Sequence, residues 1–397
     1  MLQFPQSLTP QDFLTRYWQK KPLFLPGALP QMAPVIDDDE LAWLATEDDV
    51  ESRLILTELR GRETVYRMEH GPFTAARLQE LPDRNWTLLV QDVDKHLPDF
   101  REYFLAADFI PDWRIDDLMI SIAAPGGSVG PHRDNYDVFL IQATGRREWR
   151  TAAPDAAQAA RRTSPLLLLE PFQEYDGLTA QPSDALYLPP GIPHWGIAEE
   201  RCTTYSLGMR APTRHELQTA LEGIAAAPSF ESSKAATESA TGLFYTDADL
   251  QIGEAVPGCI SGQALQRARN LLGPQANAVA QDLARAFGCL VTTPKSWLSP
   301  EVPDRSQVAD LRQNLQGANE VHNHGMARLA WCESAAEILL FANGQARQAA
   351  GNQLQYFRAM CNDRMLPPAM SHTDAGLELL EWLIATGAID LTEDELS

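Results

Sequence analysis

Residues 126–150 read GGSVGPHRDNYDVFLIQATGRREWR. A Gly/Pro-rich turn leads into His132 and Asp134, an apolar run YDVFLIQ, a short ATG turn, and Arg146–Arg147 at the head of RREWR. Side chains at i and i+2 of an extended segment share a face. The spacing therefore predicts that His132 and Asp134 project together while Arg133 points away. A neutral imidazole and a carboxylate on one face are two metal ligands in place.

Sixty-two residues after His132, LPPGIPHW sets His194 just behind a Pro-Pro-Gly turn, at the predicted start of another strand. If that strand lies beside the first, three ligands converge. Two histidines and a carboxylate are the facial set of non-haem Fe(II) sites, which leaves coordination positions open. HxD alone is a common tripeptide. The later PxH, in a stretch rich in short strands, is what gives the pattern weight.

The arginine pair adds to it. A hairpin at residues 143–145 is expected to bring RREWR back beside YDVFLIQ, with one arginine facing in and the other out. A guanidinium facing inward needs an anionic partner, because an unpaired buried charge is costly. A carboxylate held in two-point fashion suits it.

Around this stretch the texture is strand-like. LMISIAAPGG, YDVFLIQATG, REWRTAAP, LLLLEP, DALYLPPG and TTYSLGMRAP are short apolar or alternating runs set apart by Gly and Pro. Such spacing predicts a sandwich or barrel, a jelly roll among the options. Before it, TPQDFLTRYWQKKPLFLPG predicts a capped helix with an extended arm, DDDELAWLATEDD an acidic helix, and ETVYRMEHGPF a strand and turn. After Pro212, TRHELQTALEGIAAA and GQALQRARNLLGPQANAVAQDLARAFG have helical spacing, with a polar loop over 227–242 between them. ARLAWCES and ILLFANGQARQA predict paired strands. AGNQLQYFRAMCNDR and HTDAGLELLEWLIATGAI predict helices. That last mixture predicts a small winged-helix-like α+β module.

The protein has 397 residues and a formal net charge of −22. That acidity disfavours nucleic acid backbones and would speed encounter with a basic protein. No direct nucleic acid binding is expected. The first residues show no signal-peptide pattern, and the apolar runs are too short to span a bilayer. The expectation is a cytoplasmic protein with no membrane contact. Five scattered cysteines without a CxxC predict neither a disulfide framework nor a cysteine-bound zinc.

Taken together, WRIDDLMIS, residues 126–150, LYLPPGIPHWG and YSLGMRAP resemble the JmjC-type ribosomal oxygenases, most of all the bacterial branch that hydroxylates an arginine of ribosomal protein L-sixteen at its 3-position. YWQKKPLFLPG and VESRLI fit the same family. The resemblance implies a double-stranded β-helix (cupin-like) core, Fe(II), and the co-substrates 2-oxoglutarate and O2. It places the metal on His132, Asp134 and His194, and the distal carboxylate of 2-oxoglutarate on Arg147, where many relatives have lysine. It places a further co-substrate contact on Ser121. Asn135 departs from an expected glutamine.

The same resemblance implies a JmjC domain with an N-terminal extension over 1–212, a helical dimerisation region over 213–296, a winged-helix-like domain over 297–397, and a homodimer. A basic ribosomal protein is the implied substrate. Asp117, Tyr136 and Asp137 are candidates to grip its arginine, with Asp116 nearby. Two rival readings stay open. One is a related JmjC hydroxylase or demethylase acting on histidine or lysine. The other is a non-catalytic cupin or winged-helix regulator. The HNH of residues 322–324 and the isolated His70, His96, His215 and His372 are expected to be structural or exposed. Trp195 is expected to pack at the barrel rim.

Overall fold

A computed structural model describes residues 2–4, 8–31, 35–60, 63–153, 159–161, 168–170, 172–173, 176–225, 243–273, 282–298, 322–334, 337–365, 370 and 373–390. The expected polar loop over 227–242, His372 and the acidic end of the sequence lie outside the described residues.

The N-terminal helix α1 (Pro10–Arg16) begins where Thr9 and Asp12 satisfy each other's backbone N–H groups, a reciprocal cap that fixes its first turn. The arm that follows becomes β1 (Leu23–Leu25). The acidic helix is α2 (Asp38–Leu44), capped by Asp37 with three more acidic residues in its first turn, where the helix dipole favours them. Then come β2 (Ser52–Arg60), β3 (Glu63–His70), α3 (Ala75–Gln79), β4 (Trp86–Val90) and α4 (Val93–His96). The strand-rich region supplies β5 (Ile115–Ala123), β6 (Val138–Thr144), β7 (Arg147–Thr151), β8 (Ala159–Arg161), β9 (Leu168–Glu170), β10 (Asp176–Ala180), β11 (Ala185–Leu188), β12 (His194–Ala198) and β13 (Cys202–Met209).

These strands form an eight-stranded sheet in the order β1-β11-β6-β13-β5-β4-β2-β3, a three-stranded sheet β10-β7-β12, and the small pair β8-β9. All of the pairings are antiparallel. Val138 and Leu140 of β6 and Leu186 and Leu188 of β11 pack against Trp149 of β7 and Ala180 of β10. The two sheets thus enclose a shared interior, and alternation decides which side chains enter it. The intervening Phe139 faces the other way, into an aromatic cluster with Phe13 and Tyr187. Both faces of β6 are covered, which is why it reads as a continuous apolar run.

The expected hairpin between YDVFLIQ and RREWR does not form. β6 pairs with β11 and β13 in the large sheet, whereas β7 pairs with β10 and β12 in the small one. The turn between them is a corner from one sheet to the other. Gly145 makes it at φ +60°, and a Cβ there would lie 2.2 Å from the Arg201 carbonyl oxygen.

The protein divides into two compact units: residues 1–108, 115–209 and 248–251 in one, and residues 109–114, 210–247 and 252–397 in the other. The second holds α5 (Arg214–Ala225), α6 (Gly262–Leu272), α7 (Leu283–Thr292), the short β14 (His322–Asn323), an antiparallel sheet of β15 (Leu329–Ser334), β16 (Glu337–Ala342) and β17 (Gln345–Gln348), the helices α8 (Gln353–Asp363) and α9 (Asp374–Ala385), and β18 (Ile389–Asp390). Leu217 of α5, Leu271 of α6, Phe287 of α7 and Phe341 of β16 share one core. The expected division at 296/297 therefore runs through continuous packing. Inside this unit the guanidinium of Arg114 donates to both carboxylate oxygens of Asp247 at 2.9 and 3.2 Å, and both residues are fully buried. His322 and Asn323 form β14, paired with β18, and His324 Nδ1 accepts the Met326 N–H.

Candidate metal and co-substrate site

His132 and His194 meet as an antiparallel bridge. His132 N–H donates to the His194 carbonyl at 3.0 Å, and His194 N–H to the His132 carbonyl at 2.9 Å. The Gly191 N–H, from the Pro-Pro-Gly turn, donates to the Asp134 carbonyl at 2.8 Å. These three backbone bonds lock the HxD segment to the head of β12. One ligand atom from each of His132, Asp134 and His194 lies within 4.8 Å of the others. The Asp134 carboxylate faces both rings, 3.8 Å from His132 Nε2 and 3.5 Å from His194 Nε2.

The imidazole protons can be placed by chemistry. His132 Nδ1 is 2.9 Å from the Gly130 carbonyl and His194 Nδ1 is 3.0 Å from the Ile192 carbonyl. A carbonyl only accepts, so each Nδ1 carries a proton and each Nε2 is left facing Asp134. Burial, assisted by the neighbouring His132, pushes the His194 pKa down to about 4 against the opposing pull of Asp134. His194 is thus neutral near pH 7 and ready to bind a cation. Two imidazole nitrogens and one carboxylate fit a divalent transition metal.

The arginine pair divides as alternation requires. Arg146 is exposed and lies 3.6 and 3.3 Å from Glu199 and Glu200. Arg147 is 5% exposed, and its Nε and one Nη have no hydrogen-bond partner among the described residues. It shares a face of β7 with Trp149, which packs in the interior between the sheets, and its guanidinium lies 5.6 Å from that indole ring. The same interior reaches His194, 6.1 Å from the Trp149 ring. A buried guanidinium unsatisfied among the described residues, in the same interior as this cluster, has the chemistry to take a carboxylate.

Ser121, on β5, is buried, and its hydroxyl donates to the Thr204 carbonyl at 3.4 Å. It pairs with Leu89 across the sheet. Leu89 belongs to a cluster with Val129 of the loop preceding His132, so Ser121 sits on the site side of the sheet.

The substrate candidates separate. Asp117, four residues before Ser121 on the same strand, is buried. A Cβ on the facing Gly208 would stand 3.1 Å from its Oδ1 and 3.9 Å from the Tyr136 ring, so carboxylate and ring border one glycine-lined space. Tyr136 is 41% exposed. Asp137 is fully buried and accepts from Tyr187 Oη at 2.5 Å and Gln19 Nε2 at 2.8 Å, which ties the HxD segment to the N-terminal arm.

One partner of Asp117 had no signal in the sequence. Arg53 Nη2 donates to Gln91 Oε1 at 2.6 Å, and Gln91 Nε2 donates to Asp117 Oδ2 at 2.8 Å. A guanidinium can only donate, so Arg53 fixes which end of the Gln91 amide faces Asp117.

Residues 104–217 match the JmjC domain family. The fold and the site of this region are those of a JmjC domain of the double-stranded β-helix class. Several of the proteins this one is similar to are ribosomal oxygenases. The protein is 42% identical over 223 residues to the ribosomal protein uL16 3-hydroxylase of Escherichia coli, covering 54% of this protein and 56% of that one. It is 31% identical over 281 residues to a probable ribosomal oxygenase of Haemophilus influenzae, covering 70% and 64%. The matched region thus spans somewhat under two thirds of the length of these curated relatives. The solved structure of YcfD, a ribosomal oxygenase from Escherichia coli in complex with cobalt and 2-oxoglutarate, superposes with a TM-score of 0.72 at 28% identity, over 98% of this protein and 99% of that one.

Proposed function

We propose that this protein is an Fe(II)- and 2-oxoglutarate-dependent oxygenase that hydroxylates an arginine side chain, at its 3-position, of the basic ribosomal protein L-sixteen. The observation that carries the reading is Arg147, a buried guanidinium without an acceptor among the described residues, in the same interior as His132, Asp134 and His194. Its geometry suits the distal carboxylate of a dicarboxylate co-substrate, and the solved ribosomal oxygenase that this protein resembles binds 2-oxoglutarate with cobalt.

His132, Asp134 and His194 would hold the iron. When bound, it supplies the activation of O2 that couples conversion of 2-oxoglutarate to succinate and carbon dioxide with insertion of one oxygen atom into an aliphatic C–H bond of the target residue. Arg147 orients the co-substrate, and Ser121 adds a hydroxyl contact by exchanging its long bond to Thr204. The apolar walls around Trp149 keep water from the interior. At the mouth, Asp117 receives the target guanidinium, and the Tyr136 ring offers it a π face. Asp137, engaged by Tyr187 and Gln19, supports the segment from inside.

Among the described residues no helix is long and apolar enough to cross a membrane. We read the protein as cytoplasmic and, from its resemblance, as a homodimer. The net charge of −22 suits a basic protein partner. Incubation of the iron-loaded protein with 2-oxoglutarate, air and purified ribosomal protein L-sixteen tests the reading by mass spectrometry. The expected result is a gain of one oxygen atom on an arginine, absent with His132→Ala. Succinate without that gain overturns the substrate, and neither product overturns the oxygenase.

A further inference from the structure

The two ligand histidines are held differently. His194 is 2% exposed and fixed by packing on every side. The His132 side chain is 28% exposed, so packing confines it on fewer sides. Its ring lies 4.2 Å from the His194 ring and its Nε2 faces Asp134, while its Nδ1 hydrogen bond goes to the Gly130 carbonyl, and Gly130 lies in a glycine-rich loop outside the named strands.

Gly130 is itself held through its N–H. The Gly130 N–H donates to Ser128 Oγ at 3.0 Å, and the indole N–H of Trp195 donates to the same oxygen at 2.9 Å. Ser128 is 2% exposed, so water does not compete for its hydroxyl. Gly130 sits at φ +81°, and a Cβ there would lie 2.5 Å from Leu168 and 3.1 Å from the Tyr66 ring. Only glycine lets the loop turn back onto Ser128 at this point. Trp195 is gripped in turn by the Arg150 guanidinium, 5.2 Å from its ring, and by Phe172, edge-on at 5.9 Å.

We propose that Trp195 and Ser128 are positioning residues for His132, so that the dipeptide His194–Trp195 sets both ligand imidazoles. Along β12 successive side chains point to opposite faces. His194 enters the interior as a ligand, and Trp195 leaves it to clamp, through Ser128 and the Gly130 residue between its held N–H and its carbonyl, the other ligand's ring and tautomer. This rests on the metal reading of His132, Asp134 and His194. Groups that orient a metal-bound histidine typically change metal affinity by about 10–100-fold when removed.

The test uses Co(II) as the probe on the full-length protein, with Trp195→Phe, which keeps a ring and deletes the N–H, and Ser128→Ala, which deletes the acceptor. Co(II) affinity is measured by titration, and the His132 tautomer by NMR of the imidazole nitrogens in metal-free protein. The expected result is a loss of affinity of about 10-fold or more in each variant, a double variant little worse than either single one because both break one relay, and a mixed His132 tautomer where the wild type shows Nδ1–H alone. Should Ser128→Ala fail to fold, Trp195→Phe decides the matter. Wild-type affinity together with an unmixed tautomer in Trp195→Phe overturns the proposal. Co(II) binding by wild type that survives His132→Ala overturns the metal reading instead, and the proposal with it.

Discussion

A guanidinium buried without an acceptor destabilises the fold that holds it, by roughly 1–3 kcal/mol for the unmet hydrogen bonds. Arg147 is in that position among the described residues. Arg147→Met is therefore expected to raise the melting temperature of the ligand-free protein while abolishing the stabilisation that 2-oxoglutarate gives wild type, both read by differential scanning calorimetry. A lower melting temperature would mean that the residue is structural. His194 predicts a pH dependence. The unfolded protein takes up its proton near the ordinary histidine value of about 6.5, whereas the folded protein resists until about 4. Stability is full above the unfolded value and falls as the pH drops through this window, by on the order of 3 kcal/mol. Urea unfolding of metal-free protein at several pH values reads the slope, and His194→Gln should flatten it. The Arg53–Gln91–Asp117 relay makes a third case. Gln91→Leu is expected to raise KM for an arginine substrate by about 10-fold, the worth of one charged hydrogen bond, and to leave succinate formation without substrate unchanged.

Among the elements, the small sheet matters most, because β7 and β12 bring Arg147 and His194 into one sheet. Gly196 makes their approach close. A Cβ on it would stand 2.5 Å from the Trp149 ring, and that ring lies beside both Arg147 and His194. Gly196→Ala is expected to cost about 1–3 kcal/mol through overpacking and to raise KM for 2-oxoglutarate by displacing Trp149 under Arg147. Denaturant melts and a 2-oxoglutarate titration check the two effects.

Over the molecule as a unit, a net charge of −22 acts through long-range attraction rather than through any one pair. The association rate with a basic ribosomal protein is expected to fall steeply as ionic strength rises, since screening shortens the reach of the field to about 8 Å at physiological salt. Stopped-flow binding over a salt series measures it. A rate indifferent to salt would leave the acidity as a solubility feature only.

Much of the candidate site's arrangement was legible in the sequence. His132 and Asp134 lie two apart, His194 follows a Pro-Pro-Gly turn, and Arg146 and Arg147 divide outward and inward, because the alternation of an extended backbone is a local property. Capped α1 and α2, and the strand runs, are local in the same sense. What the sequence did not disclose was pairing. YDVFLIQ and RREWR look like a hairpin, yet Gly145 sends them to opposite sheets, and partner choice depends on residues far away in sequence. For the same reason neighbours in sequence took different parts. Asp137 turned inward to Tyr187 and Gln19, while Asp117 met Gln91 from β4's end and Tyr136 across Gly208. The ligand types and the alternation that aims them are thus written locally, residue by residue. Which side chains meet across the strands is settled only on folding, because cross-strand register and sheet packing are set by the whole core.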